Sequence, residues 1–249
     1  MAWIRFIKNL IFRISFKITF IKYFKSLIPY KFKTIYKKNF RKFHGLKKLD
    51  EKMLRYINFN NGYFVEIGAH DGVQNSNTLY YEKYKKWHGL LIEPSDYFRY
   101  LVKNRSKKNK FFNCGCSRFD SINETNLKGS GDFSVCVDLV DKKFFERSIL
   151  KQTQSNFKIA EKKIKLRTLN SILIESKSPN IIDFFSLDVE GMELDVLKGI
   201  DFNFYNFKYL LVECANKERK EIILNFLKSK NYDQIEDLTP WDILFKYQN

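Results

Sequence analysis

A chain of 249 residues, 44% hydrophobic and 17% aromatic, can fill the core of one sizeable domain, which excludes disorder throughout. Its formal charge of +17 is unevenly spread: Met1 to Lys48 carries 14 of the 45 basic residues and no acid, and the remaining 31 basic residues against 28 acids leave only +3. The basicity is therefore a property of an N-terminal arm, and four cysteines with one close pair, Cys114-x-Cys116, exclude a zinc knuckle built from paired C-x-x-C elements.

In the arm, Ile4, Ile7, Ile11, Ile14, Ile18 and Ile21 recur at spacings of three and four, the stripe of one helix face. Phe6, Phe12, Phe16 and Phe20 widen it, and Arg5, Lys8, Arg13 and Lys17 fall on other faces. Two readings stand side by side: residues 1–28 lie in an anionic membrane interface, or the stripe packs on protein. Charges recur too often for a spanning helix, which needs roughly 20 apolar residues, and no secretory signal is recognisable. The expected location is the cytoplasm, free or peripheral on the inner face of a membrane, with the cysteines reduced.

After a Lys-rich stretch, a helix is expected at Leu49 to Ile57 and a turn at Asn60 to Gly62. Strands are expected at Tyr63 to Ile67, Leu90 to Ile92, Phe111 to Cys114, Ile181 to Leu187 and Tyr209 to Val212, with helices between most of them. Such alternation predicts an α/β domain with a mostly parallel sheet covered on both faces. Ser117 to Ile164 is too long for one crossover and carries alternating segments at Phe133 to Leu139 and Ile164 to Leu169, so it reads as an insertion over the ligand-binding edge. A helix at Lys217 to Ser229 and strands at Tyr232 to Ile235 and Ile243 to Tyr247 close the chain, giving an arm of residues 1–48 and one domain of residues 49–249.

Three strand ends carry chemistry. Val65-Glu66-Ile67-Gly68-Ala69-His70-Asp71-Gly72 has two glycines that let the backbone turn tightly against a ligand; alone, such a turn is a weak signal. About 20 residues on, Leu90-Leu91-Ile92-Glu93-Pro94 ends a strand in an acid able to accept both hydroxyls of a ribose. The first turn lacks the G-x-G-x-x-G packing that seats a pyrophosphate, so a cofactor with ribose and no phosphate fits better than a dinucleotide. Ser186-Leu187-Asp188-Val189-Glu190-Gly191-Met192-Glu193 then places acids beyond a strand end, where ligands of open parallel sheets bind. Asp188 and Glu190 could bond a cofactor, accept a proton or hold a divalent cation, whereas Glu193 and Asp195 read as caps of the next helix, Met192 to Lys198.

These pieces, with Ser76-Asn77-Thr78, Trp87-His88-Gly89, the run Asp188 to Gly199 and Leu211-Val212-Glu213, resemble the FkbM family of S-adenosylmethionine-dependent methyltransferases over roughly Tyr63 to Glu213. The resemblance implies a Rossmann-like seven-strand class I fold, with Gly68 beside the methionine portion of the cofactor and Glu93 on its ribose. It further implies methylation of a hydroxyl on a sugar, glycan or secondary metabolite. The cofactor set is taken as Glu66, Gly68, Ala69, Asp71, Gly72, Ser76, Asn77, Glu93, Pro94, Asn113 and Asp188. The candidate proton acceptors are Asp188 first, then Glu190, Glu213 and His70, for which a loop-positioning hydrogen bond is the preferred role. No metal ligand is assigned, although a divalent cation stays open as an addition. The isolated prolines Pro29, Pro94, Pro179 and Pro240 lack the Pro-Pro-aromatic motif of enzymes that methylate base amino groups. Nucleic acid is therefore a disfavoured partner; a ribose 2′-hydroxyl acceptor, or a non-catalytic adaptor on the same fold, is the alternative.

Overall fold

The computed structural model describes residues 34, 37–119, 124–130, 133–155, 157–214 and 216–248. The isoleucine stripe of Ile4 to Ile21 and the membrane-contact reading of residues 1–28 lie outside them. Lys42 to Asn249 forms one compact unit. Among the described residues, no helix is long and apolar enough to cross a membrane.

The main sheet has seven strands: β1 (Tyr63–Ile67), β2 (His88–Ile92), β3 (Lys110–Phe112), β8 (Ile181–Leu187), β9 (Asn206–Glu213), β10 (Tyr232–Asp237) and β11 (Asp242–Tyr247). Their order across the sheet is β3-β2-β1-β8-β9-β11-β10. The first five run parallel, and β11 enters antiparallel between β9 and β10. The chain builds outward from β1 to β3, then crosses back to lay β8 on the other side of β1. That reversal opens a crevice at the carboxyl ends of β1 and β8, the usual ligand position in such sheets.

The period of two along the strands sorts side chains between two cores. Val65, Ile67, Leu90, Ile92, Phe185, Leu187, Leu210 and Val212 face one side and pack on Leu169, Ile172, Leu173, Val196, Leu197, Ile223 and Leu227. Phe64, Leu91, Phe184, Leu211 and Leu244 face the other and pack on Leu49, Met53, Tyr80, Tyr81, Trp87 and Leu101. Both faces are covered, so the central strands read as largely apolar runs, interrupted by Glu66 in β1 and Asp183 in β8. The covering helices are α1 (Leu49–Lys52), α2 (Leu79–Lys85), α3 (Phe98–Asn104), α5 (Leu169–Glu175), α6 (Glu193–Lys198) and α7 (Lys217–Lys228), with α4 (Lys142–Gln154) in the insertion. The expected helix from Leu49 to Ile57 is shorter than the sequence suggests: α1 passes at Met53 into a 3-10 turn that ends at Arg55.

The insertion is larger than Ser117 to Ile164. A second sheet of order β4-β7-β5-β6 joins β4 (Gly115–Cys116), β5 (Glu124–Gly129), β6 (Val135–Cys136) and β7 (Ala160–Arg167). Of the alternating segment at Phe133 to Leu139 only the two residues of β6 form a strand, and the one at Ile164 to Leu169 overlaps β7, which begins at Ala160 and ends at Arg167. Between them, α4 is capped by Asp141, whose carboxylate accepts the Phe144 N–H at 2.8 Å.

Candidate active site

Four strand ends meet in one row: Gly68 after β1, Glu93 after β2, Asp188 after β8 and Glu213 closing β9. Gly68 has φ of +81°, and a Cβ there would lie 2.0 Å from the Asp188 carbonyl oxygen. Only glycine combines that conformation with so close an approach of the two strand ends. Glu66, Gly68, His70, Asn77, Glu93, Pro94, Asp188 and Glu190 line a single cleft, and the insertion covers it with Leu127, Ser134 and Cys136.

On the β1–β2 side the polar groups are buried and mutually held. Glu93, 6% exposed, accepts the His70 N–H at 2.7 Å on one carboxylate oxygen and the Ser95 N–H at 2.8 Å on the other. Each oxygen keeps a further lone pair, so the carboxylate is fixed in orientation and can still accept two hydroxyls of a diol. Asn113 donates to the Glu93 carbonyl at 2.7 Å, which supports the strand end without entering the cleft. Asp71 accepts the Val73 and Gln74 N–H groups at 2.9 and 2.7 Å, and with Ala69 and Gly72 it shapes the loop instead of lining the cleft.

Glu66 reaches the cleft but its carboxylate is engaged elsewhere. It accepts from Ser76 Oγ, the Asn77 N–H at 2.8 Å, Thr78 Oγ1 at 2.6 Å and Arg105 Nη1 at 3.2 Å. Arg105, whose side chain has no exposed surface, also pairs with Glu82 at 2.8 Å. Ser76 donates into this network, and Asn77 uses its amide to donate to Ser186 at 3.0 Å. Glu66 and Ser76 thus position the loop that borders the cleft. Sequence reasoning missed Arg105, because nothing in its local spacing marks it as the partner of two buried acids.

His70 has φ of +49°. Its backbone N–H orients Glu93, and its ring lies over Tyr97 with centroids 3.8 Å apart. Asn75 and Glu190 also line the cleft in the left-handed conformation, with φ of +57° and +51°. The strain of the turn at Glu190 swings the chain back over the strand ends.

The acids on the β8–β9 side are arranged differently. Ligand atoms of Asp188, Glu190 and Glu213 all lie within 4.8 Å of one another, close enough to share a proton or a cation. Asp188 is exposed and lines the cleft. Partial removal from water raises its carboxyl well above the ordinary range, and the neighbouring Glu213 charge adds to this. Glu213 is raised by the same burial and by Glu190. Like charges at this spacing favour one proton held between them. Glu193 does not simply cap α6: it accepts the Gly191 N–H at 2.9 Å and the Val189 N–H at 3.3 Å, clasping the acid loop.

Beyond these acids lies a second pocket, lined at its inner end by Glu190 and Glu213 and elsewhere by α4, Phe133, Phe157, Asn216 and Trp241. Glu190 borders both spaces. Gln74, Asn75, Ser186, Val189 and Met192 also line the first cleft and were not anticipated. Gln74 and Asn75 had a signal, since they stand between two motif pieces; the insertion residues had none.

A seven-strand sheet of this order with one antiparallel strand, glycine at the first strand end and an acid at the second, defines a class I S-adenosylmethionine-dependent methyltransferase. The methyltransferase FkbM domain model matches residues 66–233, and the chain belongs to that family. Among solved structures it is similar to the methyltransferase FkbM of Methylobacillus flagellatus KT, at 16% identity over 78% of this chain and 45% of that one, with a TM-score of 0.46. It is also similar to the METTL16 methyltransferase domain, at 14% identity over 81% of this chain and 65% of that one, TM-score 0.44. A third likeness is to the precorrin-6y C5,15-methyltransferase of Geobacter metallireducens GS-15, at 9% identity over 83% and 95%, TM-score 0.40. The chain thus spans under half the length of the first of these and under two thirds of the second. No curated protein matches the sequence.

Proposed function

We propose that the protein is an O-methyltransferase that transfers the methyl group of S-adenosylmethionine to a hydroxyl of a sugar or glycan. The observation that carries this reading is the carboxylate cluster of Asp188, Glu190 and Glu213 at the junction of two adjoining pockets. Gly68 leaves room for the methionine portion of the cofactor, Glu93 accepts its ribose hydroxyls, and the acceptor occupies the second pocket.

Transfer is an in-line displacement. The acceptor oxygen forms a bond to the methyl carbon while the carbon–sulfur bond breaks, and its electron pair returns to sulfur, which becomes a neutral thioether. The methylated oxygen becomes acidic and its proton passes to the anionic member of the Asp188–Glu213 pair, the other member keeping the shared proton. Much of the rate gain comes from alignment of the two reactants. A hydroxyl acceptor is favoured over a carbon or an amine because a proton must leave as the bond forms, and a carboxylate raised toward neutrality is matched to receiving it.

The test is transfer of tritiated methyl from S-adenosylmethionine to a panel of glycosides by the wild-type protein and Asp188→Asn. Wild-type transfer to a sugar hydroxyl, with kcat reduced about a hundredfold or more in the variant, is expected. Transfer only to nitrogen or carbon acceptors would contradict the reading.

A further inference from the structure

The second pocket has a chemistry of its own. Phe144, Arg147, Ser148, Lys151, Gln152 and Ser155 all line it, and their spacings of three and four put them on one stripe of α4. Phe145 and Ile149 lie off that stripe and, together with Phe144, pack on Val135, Val140 and Met192. The helix therefore turns its apolar side to a small core and a basic, aromatic side to the pocket.

Arg147 and Lys151 sit one helical turn apart on that side. Neither is paired with a carboxylate among the described residues, in contrast to Lys162, which pairs with Asp96 at 2.9 Å, Lys128 with Glu161 at 3.0 Å and Arg219 with Asp141 at 2.7 Å. Rings stand around them. Phe133 and Phe157 are 6.0 Å apart, the Lys151 ammonium lies 5.8 Å from the Phe133 centroid, and Trp241 is 47% exposed across the pocket. The wall is held in place by Gln152, 2% exposed, which donates to the Phe133 carbonyl and accepts the Ser130 N–H, each at 2.7 Å. On the other side Arg219 donates to the Gly191 carbonyl and to Asp141, tying α7 to the acid loop and to the start of α4.

We infer that the acceptor is an anionic sugar, one whose ring packs on these aromatic faces while a phosphate or carboxylate substituent is bound by Arg147 and Lys151. This rests on the methyltransferase reading of the same site. The pocket carries both signs of charge: the acids Glu190 and Glu213, which belong to the cluster shared with the first cleft, and the cations Arg147 and Lys151 on α4. A ring between them presents a hydroxyl to the acids while its charged group points away from them. Guanidinium and ammonium groups beside each other suit an oxyanion with several acceptor oxygens. The flat aromatic surfaces supply the apolar contact that a sugar ring needs, with few rotamers to freeze. A nucleic-acid strand fits less well, since strand-tracking grooves line up many cations along a backbone, whereas two cations here face a cluster of carboxylates.

The experiment uses the full chain. Binding of S-adenosylhomocysteine is measured first by calorimetry, on wild type and on an Arg147→Glu/Lys151→Glu double variant. Methyl transfer and saturation-transfer NMR are then measured with methyl glucoside, methyl glucuronide, glucose 1-phosphate and a short oligoribonucleotide as probes. Both proteins are expected to bind S-adenosylhomocysteine equally. Wild type should favour the glucuronide or the sugar phosphate over the neutral glucoside, and whichever is favoured identifies the anion as carboxylate or phosphate. The double variant should reduce that preference by about tenfold or more. Equal use of neutral and charged sugars, an unchanged preference in the variant, or methylation of the oligonucleotide alone overturns the inference. So does binding of S-adenosylhomocysteine with no binding of either anionic sugar at millimolar concentration. Failure of wild type to bind S-adenosylhomocysteine sinks the methyltransferase reading itself, which is a separate result.

Discussion

The two sides of the crevice are built on opposite principles. Around β1 and β2 the carboxylates are buried and held by named donors, Glu93 by the His70 and Ser95 N–H groups and Glu66 by Asn77, Thr78 and Arg105. Around β8, β9 and the insertion, like-charged acids crowd together and the pocket wall is half-exposed side chain. A cofactor common to many enzymes rewards a rigid, preorganised cradle, because every unit of order already in the protein lowers the entropy lost on binding. An acceptor particular to one enzyme is read by groups that can differ without disturbing the sheet.

That contrast is broken most severely by removing its buried anchor. Arg105→Ala leaves Glu66 and Glu82 as unpaired buried carboxylates and is expected to cost about 3–5 kcal/mol of stability, seen as a fall in the denaturation midpoint. Gly68→Ala places a Cβ against the Asp188 carbonyl at a positive φ, and a loss of about 2–3 kcal/mol in S-adenosylhomocysteine affinity is expected by calorimetry.

The acid side sharpens the contrast through pH. The carboxyls of Asp188 and Glu213 are both raised above the ordinary range by removal from water and by neighbouring acids, Glu213 acting on Asp188 and Glu190 on Glu213. Raised folded pKa values mean that their contribution to stability is fully present below the unfolded carboxylate range near pH 4. It is lost as pH climbs through the folded values. Catalysis needs the anionic form and moves the other way. Between mildly acidic and mildly alkaline pH, kcat should rise while the thermal midpoint falls, and Glu213→Gln should flatten both slopes. A rate that falls with pH over this window would show the pair acting as a proton donor. Removal of divalent cations with a chelator is expected to leave the rate unchanged if these acids carry protons; loss of activity restored by one cation would reassign them as its ligands. The smallest effect expected is at the cap of α5, where Thr168→Ala gives up the hydrogen bond from Ser171 at 3.1 Å and costs about 1 kcal/mol of stability with no change in cofactor affinity.

The same contrast explains what could be read in the sequence. Strands β1, β2, β8 and β9 are largely apolar and lead directly into Gly68, Glu93 and Asp188 or close on Glu213, so pattern and chemistry coincide there and the cofactor edge is legible. The small sheet is not. β5 (Glu-Thr-Asn-Leu-Lys-Gly) and β7 (Ala-Glu-Lys-Lys-Ile-Lys-Leu-Arg) bury only alternate residues, and their pairing comes from backbone ladders that leave little hydrophobic signal. Helix α4 was missed for a related reason: its inner stripe faces a pocket and keeps polar residues, which blurs the usual two-sided pattern. Arg105 was invisible because its partners are 39 and 23 residues away.

The most direct test of the central claim is calorimetric titration of S-adenosylmethionine into wild-type protein and Glu93→Gln. Saturable binding to wild type, weakened about tenfold or more when the ribose-accepting carboxylate becomes an amide, is the expected result. Absence of binding by folded wild-type protein at millimolar ligand, or identical affinity in the two proteins, would contradict the assignment of the cofactor to this crevice.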